Sequence, residues 1–205
     1  GGVEVLVEKG AKVYNPDDHG VTPLMVAAIK GHSEVVKLLL TSDPKSKRRS
    51  ANVNAKDKNG TTSLIHAVKN YHKATIELLI EKKADLNSKE EKGRSALSYA
   101  VEYGNKDIAL LLLNNKANVN NRDNVDGKTP LMRAVSKGSV EFTKLLIDNK
   151  ADLNIANQKE QSCTAIFYAV MNNNKEITEL LIQKGAKVNV RDGKGFPLAR
   201  YAIEY

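Results

Sequence analysis

A short apolar run leading to Ala-x-Val-Asn or Ala-x-Leu-Asn recurs along the whole chain, and this repetition constrains the fold more than any other feature. The runs are Leu38-Leu39-Leu40, Leu78-Leu79-Ile80, Leu111-Leu112-Leu113, Leu145-Leu146-Ile147 and Leu180-Leu181-Ile182. They lead to Asn54, Asn87, Asn120, Asn154 and Asn189. Polar turns punctuate the units, closed by Gly20, Gly60, Gly93, Gly127, by Ser162 in a glycine's place, and by Gly195. Successive closures lie 40, 33, 34, 35 and 33 residues apart. The base period is therefore 33 and the longer steps are loop insertions. Such a unit cannot bury its apolar face alone, so neighbours must stack into one core.

The local chemistry of each unit reads as two helices. Thr22-Pro23 and Thr129-Pro130 mark helix starts, because Thr caps free N–H groups and Pro suits the first turn. Ala27, Ala67, Ala100, Ala134, Ala169 and Ala202 share one repeat position. A small residue there lets the first helix approach its neighbours closely, while the Leu-rich second helix supplies volume.

The segments GVTPLMVAAIKGHSEVVKLLL (20–40) and GKTPLMRAVSKGSVEFTKLLI (127–147) closely resemble the ankyrin repeat consensus. The resemblance covers the whole chain. It implies an all-α, ankyrin-repeat solenoid of stacked helix-turn-helix units with short β-turn fingers. Residues 1–205 are expected to be a single array: a half repeat at 3–19, full repeats at about 20–59, 60–92, 93–126, 127–161 and 162–194, and a half repeat at 195–205. Because both ends cut through a repeat, this segment is expected to belong to a longer, monomeric array.

Two departures from the family pattern bear on stability. The family's usual His after Thr-Pro-Leu is here Met25, Ile65, Ser98, Met132, Phe167 and Arg200. The family's Gly after the second helix survives only as Gly10 and Gly185, with Lys83, Lys116 and Lys150 elsewhere. A left-handed lysine at each of these points predicts an array less stable than a consensus one.

Composition excludes several classes. With 41% hydrophobic and 27% charged residues, the chain is neither disordered nor membranous, and no stretch approaches the roughly 20 apolar residues of a membrane helix. A lone cysteine, Cys163, forbids an intrachain disulfide and suits a reducing compartment, cytosol or nucleus. The net charge of +8 is spread along the chain as a solvated Lys-rich surface.

Nothing in the spacing points to catalysis, a metal or a cofactor. His19, His32, His66 and His72 fall in four scattered positions, with no H-E-x-x-H or C-x-x-C. Gly127-Lys128-Thr129 resembles the tail of a phosphate loop, but Arg122 stands where that motif needs Gly. The expectation is a chain that is not an enzyme. The insertion at 44–50 packs Lys45, Lys47, Arg48 and Arg49 into five residues and resembles a short nuclear-import signal. The repeated Asn is expected to hold its own loop by local hydrogen bonds. In the family, similar residues are substrates of an asparaginyl hydroxylase, which makes Asn87 and Asn154 candidates here.

Ankyrin stacks bind partners on a concave face built from first helices. The resemblance places the exposed points of that helix six, nine and ten residues after each turn closure. In the C-terminal half these include Tyr99, Tyr103, Arg133, Lys137, Tyr168, Met171, Tyr201 and Tyr205, and five of the seven tyrosines fall in the set. Tyr, Arg and Met are enriched at interface centres. The leading expectation is a module that binds a peptide or protein partner on this face. Two rivals stand beside it: a nucleic-acid or anion sensor using Lys30, Lys69, Arg133 and Lys137, and a structural spacer in a larger protein.

Overall fold

The computed structural model describes residues 2–9, 11, 14–41, 50–159 and 162–204. Among the described residues there are twelve helices and no strand, only isolated bridges such as Lys56 with Thr62 and Arg191 with Pro197 at the base of two fingers. This is the ankyrin repeat fold. The basic residues Lys45, Lys47, Arg48 and Arg49 lie outside the described residues, as do Gly10 and Tyr205.

The helices fall into two compact units, residues 1–91 and 92–205. The first holds α1 (Gly2–Glu8), α2 (Pro23–Lys30), α3 (Ser33–Leu40), α4 (Ser63–Lys69) and α5 (Lys73–Glu81). Within it α2 packs on α3 and α4, α4 on α5, and α3 on α5. The second holds α6 (Ala96–Glu102), α7 (Lys106–Asn114), α8 (Pro130–Ser136), α9 (Val140–Asp148), α10 (Ala165–Met171), α11 (Lys175–Gln183) and α12 (Leu198–Glu204). There α6 packs on α7 and α8, α8 on α9 and α10, α10 on α11 and α12, and α9 on α11. First helices thus stack on first helices and each turns back onto its own second helix.

The residue types explain this arrangement. The hydroxyls of Thr22, Thr62, Ser95 and Thr129 accept the N–H three residues on and start four of the first helices. Asn105, Ser139 and Asn174 do the same for second helices. Ala27, Ala67, Ala100, Ala134 and Ala169 are all buried, as close helix contact requires. Ala202 differs and is exposed. Met25, Ile65, Ser98, Met132 and Phe167, in the family's His slot, are buried, whereas Arg200 is exposed. At Gly31 the φ of 71° terminates α2, and an added Cβ would meet the His72 ring at 2.5 Å. The imidazole uses that space, with Nε2 2.9 Å from the Ile29 carbonyl oxygen.

The lysines after the second helices adopt the expected left-handed conformation: φ is 64° at Lys83, 69° at Lys116 and 67° at Lys150. Each costs about 1–2 kcal/mol. A cation beside a helix C-terminus recovers roughly 0.3–1 kcal/mol from the helix dipole. The balance at each site stays unfavourable.

Candidate functional site

In four repeats the residue six after the turn closure, His66, Arg133, Tyr168 or Tyr201, braces the finger, whereas Val26 at the same offset is exposed. The typical finger is a tight hairpin closed by a backbone bond, such as Asp57 N–H to the Thr61 carbonyl at 3.1 Å or Asp192 N–H to the Phe196 carbonyl at 3.0 Å. The Asp or Asn at its base accepts N–H groups from inside the turn: Asp57 from Asn59 and Thr61, Asp192 from Lys194 and Phe196. The same side chain then meets the helix. His66 Nε2 lies 2.9 Å from Asp57 Oδ2, Tyr201 donates to Asp192 Oδ2 at 2.7 Å, and the Tyr168 hydroxyl accepts from Asn157 Nδ2 at 2.8 Å. Arg133 donates to Asp123, to Asp126 at 2.9 Å and to Glu102 at 3.1 Å.

Electrostatics follow these contacts. Burial works to raise the Asp123 carboxyl, but Arg133 and neighbouring N–H donors override it and hold it low. Burial and the proximity of Asp123 push Asp126 up. Burial depresses the His66 imidazole despite the opposing pull of Asp57. The bond to Asp192, then burial, moves the Tyr201 hydroxyl up to about 12.

Four of the expected contact residues are therefore corrected. Tyr99, Arg133, Tyr168 and Tyr201 are between 6% and 9% exposed and cannot form a solvated ladder. The physical reason is placement: the polar tips of Arg133, Tyr168 and Tyr201 are recruited by the base of their own fingers, while Tyr99 packs its ring beside Tyr103 and Arg94. The sequence carries only a variable trace of this, which Asp17 with Val26 breaks. An Asp or Asn three to five residues before the closure is matched by His66, Arg133, Tyr168 or Tyr201 six residues after it.

The ninth and tenth positions behave differently. Tyr103 is 43% exposed, Lys137 is exposed and Met171 is half-buried. With Glu102, Ala134 and Phe142, Tyr103 and Lys137 line a cleft of about 350 Å³. The Tyr103 ring centroid lies 5.8 Å from that of Tyr99. Polar side chains at the tenth position also stitch the stack. Lys137 donates to the Glu102 backbone carbonyl and pairs with its carboxylate at 3.5 Å, and Asn172 donates to the Ser136 carbonyl at 3.0 Å.

The repeated Asn does more than hold its own loop. Asn54 Oδ1 accepts the Asp85 N–H at 2.8 Å, Asn120 the Asp152 N–H at 2.9 Å, and Asn154 the Lys187 N–H at 2.9 Å. Each bond reaches the equivalent loop of the next repeat. The expectation of a purely local role is corrected to an inter-repeat clamp. Asn87 and Asn154 also donate their own N–H to Asp85 and Asp152, at 2.9 Å in both cases. Among the described residues, no group of three or more His, Cys, Asp or Glu side chains could hold a metal ion, and Cys163 is buried. No helix among them is long and apolar enough to cross a membrane.

Comparison with known proteins matches this geometry to its relatives. A family model described as Ankyrin repeats (3 copies) matches at residues 2–49, 46–123 and 115–192. A poly [ADP-ribose] polymerase tankyrase of Caenorhabditis elegans is 42% identical over 76 residues, covering 34% of this chain and 3% of that protein. The chain thus spans a small fraction of that relative's length. The crystal structure of the ankyrin repeat domain of Bcl-3, described as a unique member of the IkappaB protein family, is similar with a TM-score of 0.83. That match is 23% identical and covers 98% of this chain and 86% of the other.

Proposed function

The chain belongs to the ankyrin repeat family, and from that membership we propose that it is a non-enzymatic module that binds a peptide or protein partner on the face carrying the ninth and tenth positions of its first helices. Ankyrin repeats are in general protein-interaction modules. The observation that carries the reading is the division of labour between positions. Arg133, Tyr168 and Tyr201 are taken up by their fingers, while Tyr103 and Lys137, just past α6 and α8, keep exposed surface and Met171 on α10 is half-buried. An aromatic ring, a cation and a thioether are the types that anchor specific interfaces. The working site is accordingly Tyr103, Lys137 and Met171, with Tyr205 as a further candidate. The polyanion rival loses ground because Arg133 is already bound to three carboxylates and Lys137 to Glu102.

The test is selection of a binding peptide from a random library against the chain, followed by Tyr103→Ala and Met171→Ala. Each should weaken the selected peptide by at least about 2 kcal/mol while the melting temperature holds. Undiminished binding by the double variant would overturn the proposal. A cytoplasmic or nuclear location is part of this reading, as is hydroxylation of Asn87 and Asn154. Mass spectrometry of the protein from its native cells reads the latter as one added oxygen on either residue.

A further inference from the structure

In the second unit, lysines one or two residues past the second helices α7, α9 and α11 form a second charged edge. Lys116 and Lys150 have left-handed backbone, and both are exposed. In the following repeat the left-handed position is Gly185, and an exposed lysine, Lys184, stands immediately before it. Three successive repeats of the second unit thus keep a cation at one edge. None of the three makes an ion pair with a carboxylate among the described residues. Lys150 and Lys184 line one cleft of about 480 Å³ with Ile147, Ala151 and Leu153, and Asp148 is the acid in that lining.

Folding alone does not account for this edge. A lysine near a helix C-terminus is favoured by the dipole, yet the Lys184-Gly185 order obtains that benefit without placing a side chain in the left-handed region. Lys116 and Lys150 accept strain that the Lys-Gly order avoids. Strained residues retained against the interest of the fold point to use of the side chain.

We infer that the edge formed by Lys116, Lys150 and Lys184 binds an extended acidic peptide with a carboxylate at every third residue. The first helices α6, α8 and α10 pack on one another, so their repeats step by roughly 8–10 Å, the spacing of packed helices. An extended chain rises about 3.3 Å per residue, so three residues span one step and each third side chain meets the next lysine. Duplex DNA fits less well. At 10–10.5 base pairs per turn, its phosphates rotate by roughly 100° over the same rise and leave a straight edge. Ile147 and Leu153 beside the lysines supply apolar floor for the side chains between the acids. This site is separate from Tyr103, Lys137 and Met171, so either can fail without the other.

The experiment uses the whole chain and a synthetic peptide in which Asp recurs at every third position. Two competitors accompany it: a peptide of the same composition with its Asp residues contiguous, and a single-stranded oligonucleotide. The variant is Lys116→Gly, Lys150→Gly and Lys184→Gln combined. The expected result is saturable binding of the periodic peptide, weakened by added salt, and about a tenfold or greater loss in the triple variant, as three exposed ion pairs together support. The melting temperature of the variant should hold or rise, because two left-handed lysines become glycine. Equal binding by variant and parent overturns the inference. So does equal affinity for the contiguous peptide, which would mean diffuse charge attraction, or tighter binding of the oligonucleotide.

Discussion

At the scale of single residues, one helix position carries a structural task that its residue types disguise. Tyr168 looks like an interface aromatic, yet its ring is buried and its hydroxyl is held by Asn157. Tyr168→Phe should cost about 1 kcal/mol, the net worth of one hydrogen bond. Tyr168→Ala should cost roughly 3–5 kcal/mol, as for other large buried rings. Urea unfolding separates the two, and an Ala variant as stable as the parent would restore the open-face reading. His66 adds a pH dependence. Burial holds its imidazole below the ordinary 6.5, so the unfolded chain binds this proton more readily than the folded one. The neutral ring supports the fold above about pH 6.5, and that support is lost as pH falls from there through the lower folded value. The partner Asp57 works in the same direction further down. Burial would raise its carboxyl, but the Thr61 N–H, His66 and the Asn59 N–H hold it below 3.8, so its contribution is lost in stronger acid. Between about pH 7 and pH 5 the parent should lose more stability than His66→Asn. Parallel curves would remove His66 from the account.

At the scale of the element, the helices were legible in the sequence and the finger struts were not. Thr22-Pro23 and Thr129-Pro130 start helices where the capping chemistry predicts, and the repeated Ala, except Ala202, and the central Leu of each run are buried as their spacing requires. These signals are local, or repeat at the 33-residue period, so they survive without coordinates. The strut pairs, such as Asp57 with His66 and Asp123 with Arg133, are separated by an insertion-dependent number of residues and change chemical type from repeat to repeat. Only the closeness of finger and helix reveals them. The asparagine clamp was hidden for a related reason: its partner is a backbone N–H of the next repeat, which carries no residue signature. Asn154→Ala should therefore cost about 1 kcal/mol by releasing the Lys187 N–H. Asn189→Ala, at an exposed residue in the last described loop of this kind, should stay within about 0.5 kcal/mol. Equal losses at both would mean that the side chain only shapes its own turn.

At the scale of the whole molecule, stability should be a chain of nearest-neighbour terms with no single centre. The second unit shows why. The helix α8 is flanked by α6 and α10 and backed by α9, and its Leu131, Met132, Ala134 and Val135 are fully buried. The helix α12 packs chiefly on α10, buries Leu198 and Tyr201, and leaves Ile203 86% exposed. Opening α12 breaks one substantial interface, whereas opening α8 breaks two with first helices and one with its own second helix. Amide hydrogen exchange under native conditions should therefore be slowest in α8 and fastest in α12 within this unit, with α6 and α10 between them. Substitutions should follow the same gradient. Leu131→Ala removes a side chain enclosed on every side and should cost roughly 2–5 kcal/mol, while Ile203→Ala should change stability by less than about 0.5 kcal/mol. If instead α12 exchanges as slowly as α8, the unit unfolds all at once. The energy is then shared beyond nearest neighbours, and the additive picture of the repeats fails for this chain.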